Sequence, residues 1–239
     1  MARFGAVSPL LGITRDGLAS VLRQLPEQAP EPSYKLTLYD ETLLNDFEQA
    51  ACLYFWEQAN PDTGLVKDRS TPSEFDDYTV ASIAATGFGL TALCIADKRG
   101  FIPNNAVISR VRATLKFLAT RMYNQHGFFY HFVDVNTGTR AFDCEVSSID
   151  TGLLLCGILM CKQYFADEQI RSLAGEIFDR VDWQWMLDRG RTLSHGWTPE
   201  NGFLPYRWNT YCELMLMYLL GIGSRTHAIP ADTWDAWWR

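Results

Sequence analysis

Three acids, Asp143, Glu145 and Asp150, fall within the stretch FDCEVSSIDTGLLLCGIL (142–159), and an almost purely apolar run follows at once. A carboxylate at the mouth of a buried segment loses hydration, so it needs a partner or holds its proton more tightly. Glu145 lies between Cys144 and Val146, where a solvated face is not expected. Glu213, in YRWNTYCE, falls on the first or second turn of a second apolar segment and poses the same question. Asp150 has two readings: a functional acid, or a first-turn acid that caps free N–H groups and complements the helix dipole. SEFDDYT adds Glu74, Asp76 and Asp77 before the first apolar segment, and Asp76 and Asp77 read as surface or capping residues.

Aromatic and amide side chains accompany these acids. Tyr206, Trp208, Asn209 and Tyr211 surround the start of the segment that carries Glu213. Aromatic faces stack on the C–H faces of sugar rings, while Asn, Tyr and acids bond the hydroxyls. Hydrolysis of a glycosidic bond needs a general acid and a second carboxylate acting as base or nucleophile. The four histidines (126, 131, 195, 227) show no metal-ligand spacing, so neither a metal nor another cofactor is expected. The six cysteines form no CxxC pair, and five lie in or beside apolar helical patterns, which reads as buried free thiols.

The elements that must position these groups alternate in kind. Residues 41–58, 104–121 and 167–187 are amphipathic at helical spacing; the first places Leu44, Phe47, Ala51, Tyr54 and Phe55 on one side. Residues 79–96, 149–161 and 208–222 are apolar nearly all round, and such helices must be surrounded by protein. Outer and inner helices thus alternate in pairs, with PADTWDAWWR opening another outer helix. The connections repeat weakly: DTGLV, QHGFF and SHGWT each place Gly before an apolar residue, at intervals of 63 and 69 residues. This order predicts an all-α (α/α) toroid, with a simple helical bundle as the alternative. The long loops 123–148 and 193–208 read as short β-hairpins. If the inner helices run the same way, the acids at their starts meet in one cleft.

Composition narrows the partners. With 47% apolar and 21% charged residues the chain is globular. A net charge of −7 argues against nucleic acid and anionic membrane, which need clustered Lys and Arg. Residues 1–38, with LPEQAPEPS, read as an N-terminal extension or linker, and 39–239 as the toroid domain. No secretory signal or membrane span is visible, so the localisation stays unknown and the chain as it stands reads as cytoplasmic.

The segments FWEQANPDTGLVKDRS, SIAATGFGLTAL, HGFFYHFVD, EVSSIDTGLLLCGIL and YRWNTYCELMLMYLLGIGSRTHAIP together resemble the bacterial endo-β-1,2-glucanase family, glycoside hydrolase family 144, also described as a glucoamylase-like domain. The resemblance runs from about residue 40 to the end of the chain. It implies an (α/α)6 toroid, of which three helix pairs and the start of a fourth, about half, are present. It also implies inverting hydrolysis of β-1,2-glucan, in family members that are often periplasmic or secreted. It assigns Glu145 as general acid or as part of the proton relay to the glycosidic oxygen, and Glu213 to binding or orienting substrate. Asp143 and Asp150 flank the first motif, and Trp197, Tyr206, Trp208, Asn209 and His131 fall along the sugar path. The family reads GSPTH where this chain reads GSRTH (223–227). A half toroid leaves apolar flanks exposed, which leaves three readings open: a piece of a longer or split enzyme, the preferred one; self-association through its edges; or a half-barrel with rearranged packing. The rival readings are a non-catalytic or vestigial glucan-binding module and, more distantly, a polysaccharide lyase using His195 and Arg207.

Overall fold

A computed structural model of the chain describes residues 35–71, 76–210 and 215–238. The chain divides into two compact units, residues 1–44 and 45–239. Helix α1 (Leu38–Glu57) crosses from the first into the second.

In the larger unit, strand β1 (Val80–Ser82) leads into α2 (Ile83–Arg99), followed by α3 (Asn104–Thr120). Strands β2 (Phe132–Asp134) and β3 (Val146–Ser147) precede α4 (Ser148–Tyr164), followed by α5 (Glu168–Asp179) and the short α6 (Trp183–Met186). Strands β4 (Gly196–Thr198) and β5 (Gly202–Phe203) precede α7 (Met215–Ile222), and α8 (Thr233–Trp238) is the last element. The helices are the expected outer–inner pairs. Inner helix α4 packs against α2 on one side and α7 on the other, while outer helices α3 and α5 pack together. The described unit is thus an all-α array of helix pairs with short β-elements in its loops.

The apolar character of α2 and α4 has a steric origin. A Cβ on Gly157 would lie 2.0 Å from the carbonyl oxygen of Gly87, and one on Gly87 would meet the Leu154 Cα at 2.6 Å. Interaxial distance follows the side chains at the contact. Two glycines therefore let these helices touch backbone to backbone. Further along both helices, the buried thiols of Cys94 and Cys161 lie 3.7 Å apart. All five cysteines among the described residues are free; Cys212 lies outside them.

The starts of α2 and α4 repeat one device. Ser82 accepts a hydrogen bond from the Ala85 amide, and Ser147 accepts one from Asp150. The hydroxyls of Thr86 and Thr151 donate to the carbonyls of Ser82 and Ser147 and accept from the amides of Val66 and Phe129. The shared pattern Ser-x-x-x-Thr-Gly places Ala85 and Asp150 at equivalent positions.

Two expectations need adjustment. The helix expected over 167–187 breaks at Arg180–Asp182, because Asp182 caps a new helix by accepting from the Trp185 amide. On α1 the expected apolar face is largely open: Phe47 is exposed and only Cys52 is buried. Arg99 of α2 reaches Asn45 and Glu48 of this helix, and Arg110 of α3 lies 4.1 Å over the Trp56 ring near its end. In GSRTH the family proline is replaced by Arg225, which pairs with Asp179, and Thr226 donates to the Asp179 carbonyl. An ion pair and a hydrogen bond therefore hold that turn. Among the described residues no helix is long and apolar enough to cross a membrane.

Candidate functional site

Glu145 sits at the head of β3, between two neighbouring segments. On one side Tyr130 bridges Val146, and the His131 amide donates to the Glu145 carbonyl. On the other, Val146 pairs with Trp197, and the Ser148 amide donates to the His195 carbonyl. Gly196 makes room for Glu145, since a Cβ there would meet the Glu145 Cγ at 2.7 Å. Strand pairing thus delivers one histidine to each flank of the acid.

His131 joins two carboxylates. Its Nδ1 lies 3.1 Å from Glu145 Oε1 and its Nε2 lies 3.5 Å from Asp150 Oδ1. A carboxylate only accepts, so an imidazolium with both N–H groups satisfies both contacts. The side chains of His131, Glu145 and Asp150 keep 30%, 26% and 11% exposure, which leaves the cluster reachable from solvent. Ser147 Oγ donates to Asp150 Oδ2 at 2.5 Å while accepting from the Asp150 amide. Asp150 is therefore both a capping partner and a ligand of His131. Ala85 holds the same place in α2, whose cap works without an acid. The carboxyl at 150 is not a requirement of the fold.

The proton affinities diverge. Burial pulls the His131 pKa down, but the Glu145 hydrogen bond and the charges of Asp150 and Glu145, with Asp68 beyond, outweigh it and raise it. Burial would raise Glu145, yet the His131 hydrogen bond and the charges of His131 and His195 hold it below the ordinary carboxylate value. Burial pushes Asp150 up, and His131 and Ser147 only partly counter it. Burial likewise holds His195 below its ordinary value. The donor atoms of His131, Glu145 and Asp150 all lie within 4.8 Å of one another, close enough to hold a cation. His131 would have to surrender a carboxylate contact to ligate one.

The other expected residues separate into groups. Trp208 stacks on His195 with centroids 3.6 Å apart, and its Nε1 donates to Ser148 Oγ at 2.8 Å. Tyr206 is 65% exposed with its ring 5.8 Å from His195. Both flank the cluster. Trp197 pairs with Val146, and its ring lies 6.0 Å from Trp185 in an aromatic group with Phe203, on the opposite face of β4 from Gly196 and Glu145. Asn209 is exposed. Asp143 is exposed too, and its carbonyl accepts from Arg140. Neither Asn209 nor Asp143 joins the cluster. Glu213, Tyr211 and Glu74 lie outside the described residues. Sequence reasoning missed Asp68, whose charge reaches His131, and the structural part of Arg140, which binds the carbonyls of Asp143 and Cys144 and the carboxylate of Glu200. No local pattern marks Asp68. Arg140 stood two residues before an aromatic and an acid, a cue visible only with the hairpin register. Two surface concavities of about 460 and 520 Å³, lined by Tyr54 and Ser70 and by Phe117 and Asn136 respectively, lie away from the cluster.

The array of helix pairs, with its carboxylate–imidazole cluster at the start of α4, is similar to the (α/α) toroids of glucoamylase-like proteins. The Glycoamylase family model, a glucoamylase family, matches residues 205–239. The chain is 29% identical over 222 residues to an exo β-1,2-glucooligosaccharide sophorohydrolase (non-reducing end) of Parabacteroides distasonis, a match covering 86% of this chain and 29% of that protein. An endo-β-1,2-glucanase of Chitinophaga pinensis, solved with sophorotriose and glucose, superposes with a TM-score of 0.73 at 26% identity, over 85% of this chain and 51% of that one. A β-1,2-glucanase of Parabacteroides distasonis gives 0.77 at 27% identity, over 86% of this chain and 30% of that one. The chain thus resembles β-1,2-glucan hydrolases along most of its length, and it spans about a third to a half of theirs.

Proposed function

We propose that this chain is a glycoside hydrolase module acting on β-1,2-glucan, with Glu145 delivering the proton to the glycosidic oxygen. The observation that carries this reading is the Asp150–His131–Glu145 array on a scaffold similar to β-1,2-glucanases. Glu145 alone is depressed and would be a poor acid. His131, held charged between two carboxylates, hands its Nδ1 proton to Glu145, which passes it to the leaving oxygen and ends as the carboxylate it began; His131 ends neutral, and Asp150 orients the ring through Nε2. Charge developing on the cluster is thereby met by groups already in place.

Asp150 is not the base. An inverting pair needs roughly 6.5–9.5 Å between carboxyls to admit a water, and the Glu145 and Asp150 oxygens lie within 4.8 Å. The second carboxylate comes from another acid, and Glu213, in the segment matched by the family model, and Asp68 are its candidates within this chain. Tyr206 offers a stacking face and Trp208 fixes His195 beside the acid. Incubation of linear β-1,2-glucan with the chain and with Glu145→Gln tests the reading.

The partial span favours a second reading, a glucan-binding module without turnover, in which affinity survives and no reducing ends appear. We also infer self-association. Phe88 and Ile95 on α2, Met160 on α4, and Met215 and Leu219 on α7 are large apolar side chains left exposed on inner helices. Surfaces of this kind seek a partner, and a second copy would cover them.

A further inference from the structure

We propose that Phe142 is a sugar-stacking platform, placed on the flank of Glu145 opposite Tyr206. The inference rests on the carbohydrate reading above. Phe142 is 68% exposed and has φ 56°, and Asp143 after it has φ 49°. A bulky residue at positive φ is a real outlier, and strain of this kind persists only where the surroundings over-determine it. Here they do. Arg140 donates through Nε to the Cys144 carbonyl and through a terminal nitrogen to the Asp143 carbonyl, both at 2.6 Å, and reaches Glu200 Oε1 at 2.7 Å. Its guanidinium lies 5.0 Å over the Tyr130 ring, and its side chain is only 16% exposed. A locked turn therefore holds an aromatic ring out in solvent, against both backbone preference and the hydrophobic effect.

The ring does not stand alone. Phe142 meets Phe132 edge to face at 5.8 Å, and Phe132 stacks on His131 at 3.8 Å. On the other flank, Tyr206 stands beside His195. Each histidine next to Glu145 therefore leads outward to one exposed aromatic ring. The exposed area at Phe142 is a single ring with Asp143 beside it, which suits one pyranose face and its hydroxyls better than an apolar protein surface. A glucan chain lying across Glu145 would rest one glucose on Tyr206 and another on Phe142. Phe142 would then recognise longer chains and contribute little to the shortest.

The test is calorimetric binding of linear β-1,2-glucooligosaccharides of increasing length in a Glu145→Gln background that blocks turnover. Phe142→Ala should lose about tenfold in affinity for the longer oligosaccharides and leave the disaccharide unchanged, and Phe142→Trp should restore it. Phe142→Gly suits the left-handed backbone, so it should raise the melting temperature while lowering affinity. Equal affinities for Phe142→Ala and its parent at every length would overturn the proposal, as would a melting temperature lowered by Phe142→Gly with binding intact. Linear β-1,3-glucooligosaccharides are the control. Their binding in place of β-1,2 chains, with loss in Phe142→Ala, sustains the platform and removes the linkage assignment. Binding of neither removes both.

Discussion

Replacing His131 by Gln tests whether one imidazolium holds two carboxylates. The variant keeps a polar side chain and loses the charge. At the observed 3.1 and 3.5 Å, each contact is worth about 5 kcal/mol of raw attraction at an effective dielectric of about 20. Desolvation of three groups, partial exposure and Glu145–Asp150 repulsion offset most of this. Exposed pairs contribute about 0–1 kcal/mol and breaking a buried pair costs about 3–5, so a part-buried cluster should lose about 2 kcal/mol. For a unit of this size that is a fall of about 4–8 °C in Tm. The pH dependence is the sharper signature. His131 is raised in the folded protein, so its contribution is complete below the unfolded value of about 6.5 and disappears as pH rises through the folded one. Glu145 is lowered, so its contribution holds above the unfolded value of about 4.3 and is lost as pH falls through the folded one. Asp150, raised by burial, works with the opposite sign and costs stability once ionised. The wild-type advantage should therefore peak at about pH 5–6.5 and shrink towards alkaline pH. Thermal unfolding by circular dichroism across pH measures this. A deficit that stays flat from acid to alkaline pH, or no deficit at about pH 6, would refute the charge clamp.

Other perturbations follow from the same geometry. Gly157→Ala drives a methyl into the Gly87 carbonyl and should destabilise by about 3 kcal/mol or more by overpacking the α2–α4 contact, read from urea midpoints. Arg140→Leu releases the turn before Glu145 and should lower turnover about 10–100-fold with the fold retained, because misplacement of about 1 Å costs about that much; an unchanged kcat would remove Arg140 as a positioning residue. Sedimentation should find the chain as a dimer and Leu219→Glu as a monomer, while a monomeric wild type would remove self-association.

The inner and outer helices were legible because their patterns are extreme. Nothing but burial on every face accommodates GLLLCGIL, and few patterns other than an amphipathic helix fit 104–121. Glu145 stood out for the same reason, a charge with apolar neighbours on both sides. In the sequence His131 reads only as part of the sugar path, not as its partner. His131 reaches Glu145 only through the pairing of Tyr130 with Val146, a register that depends on loops folding across one another. Asp68 comes from a distant loop and carries no local mark. Trp197 was expected along the sugar path, but alternation along β4 turns it towards Trp185 once its pairing is known. The Ser-x-x-x-Thr-Gly repeat at 82–87 and 147–152 was readable in the letters. It would have shown that Asp150 stands where α2 has an alanine, so the serine cap works without a carboxyl. Phe142 was invisible because left-handed backbone at a phenylalanine contradicts its own preference.

Product analysis of linear β-1,2-glucan incubated with the chain, beside Glu145→Gln, tests the central claim most directly. Short oligosaccharides should appear with the wild type and fall by a factor of about 10³ or more in the variant, the scale expected when a general acid is removed. No products from the wild type, or equal products from both, would contradict a hydrolytic site built on Glu145.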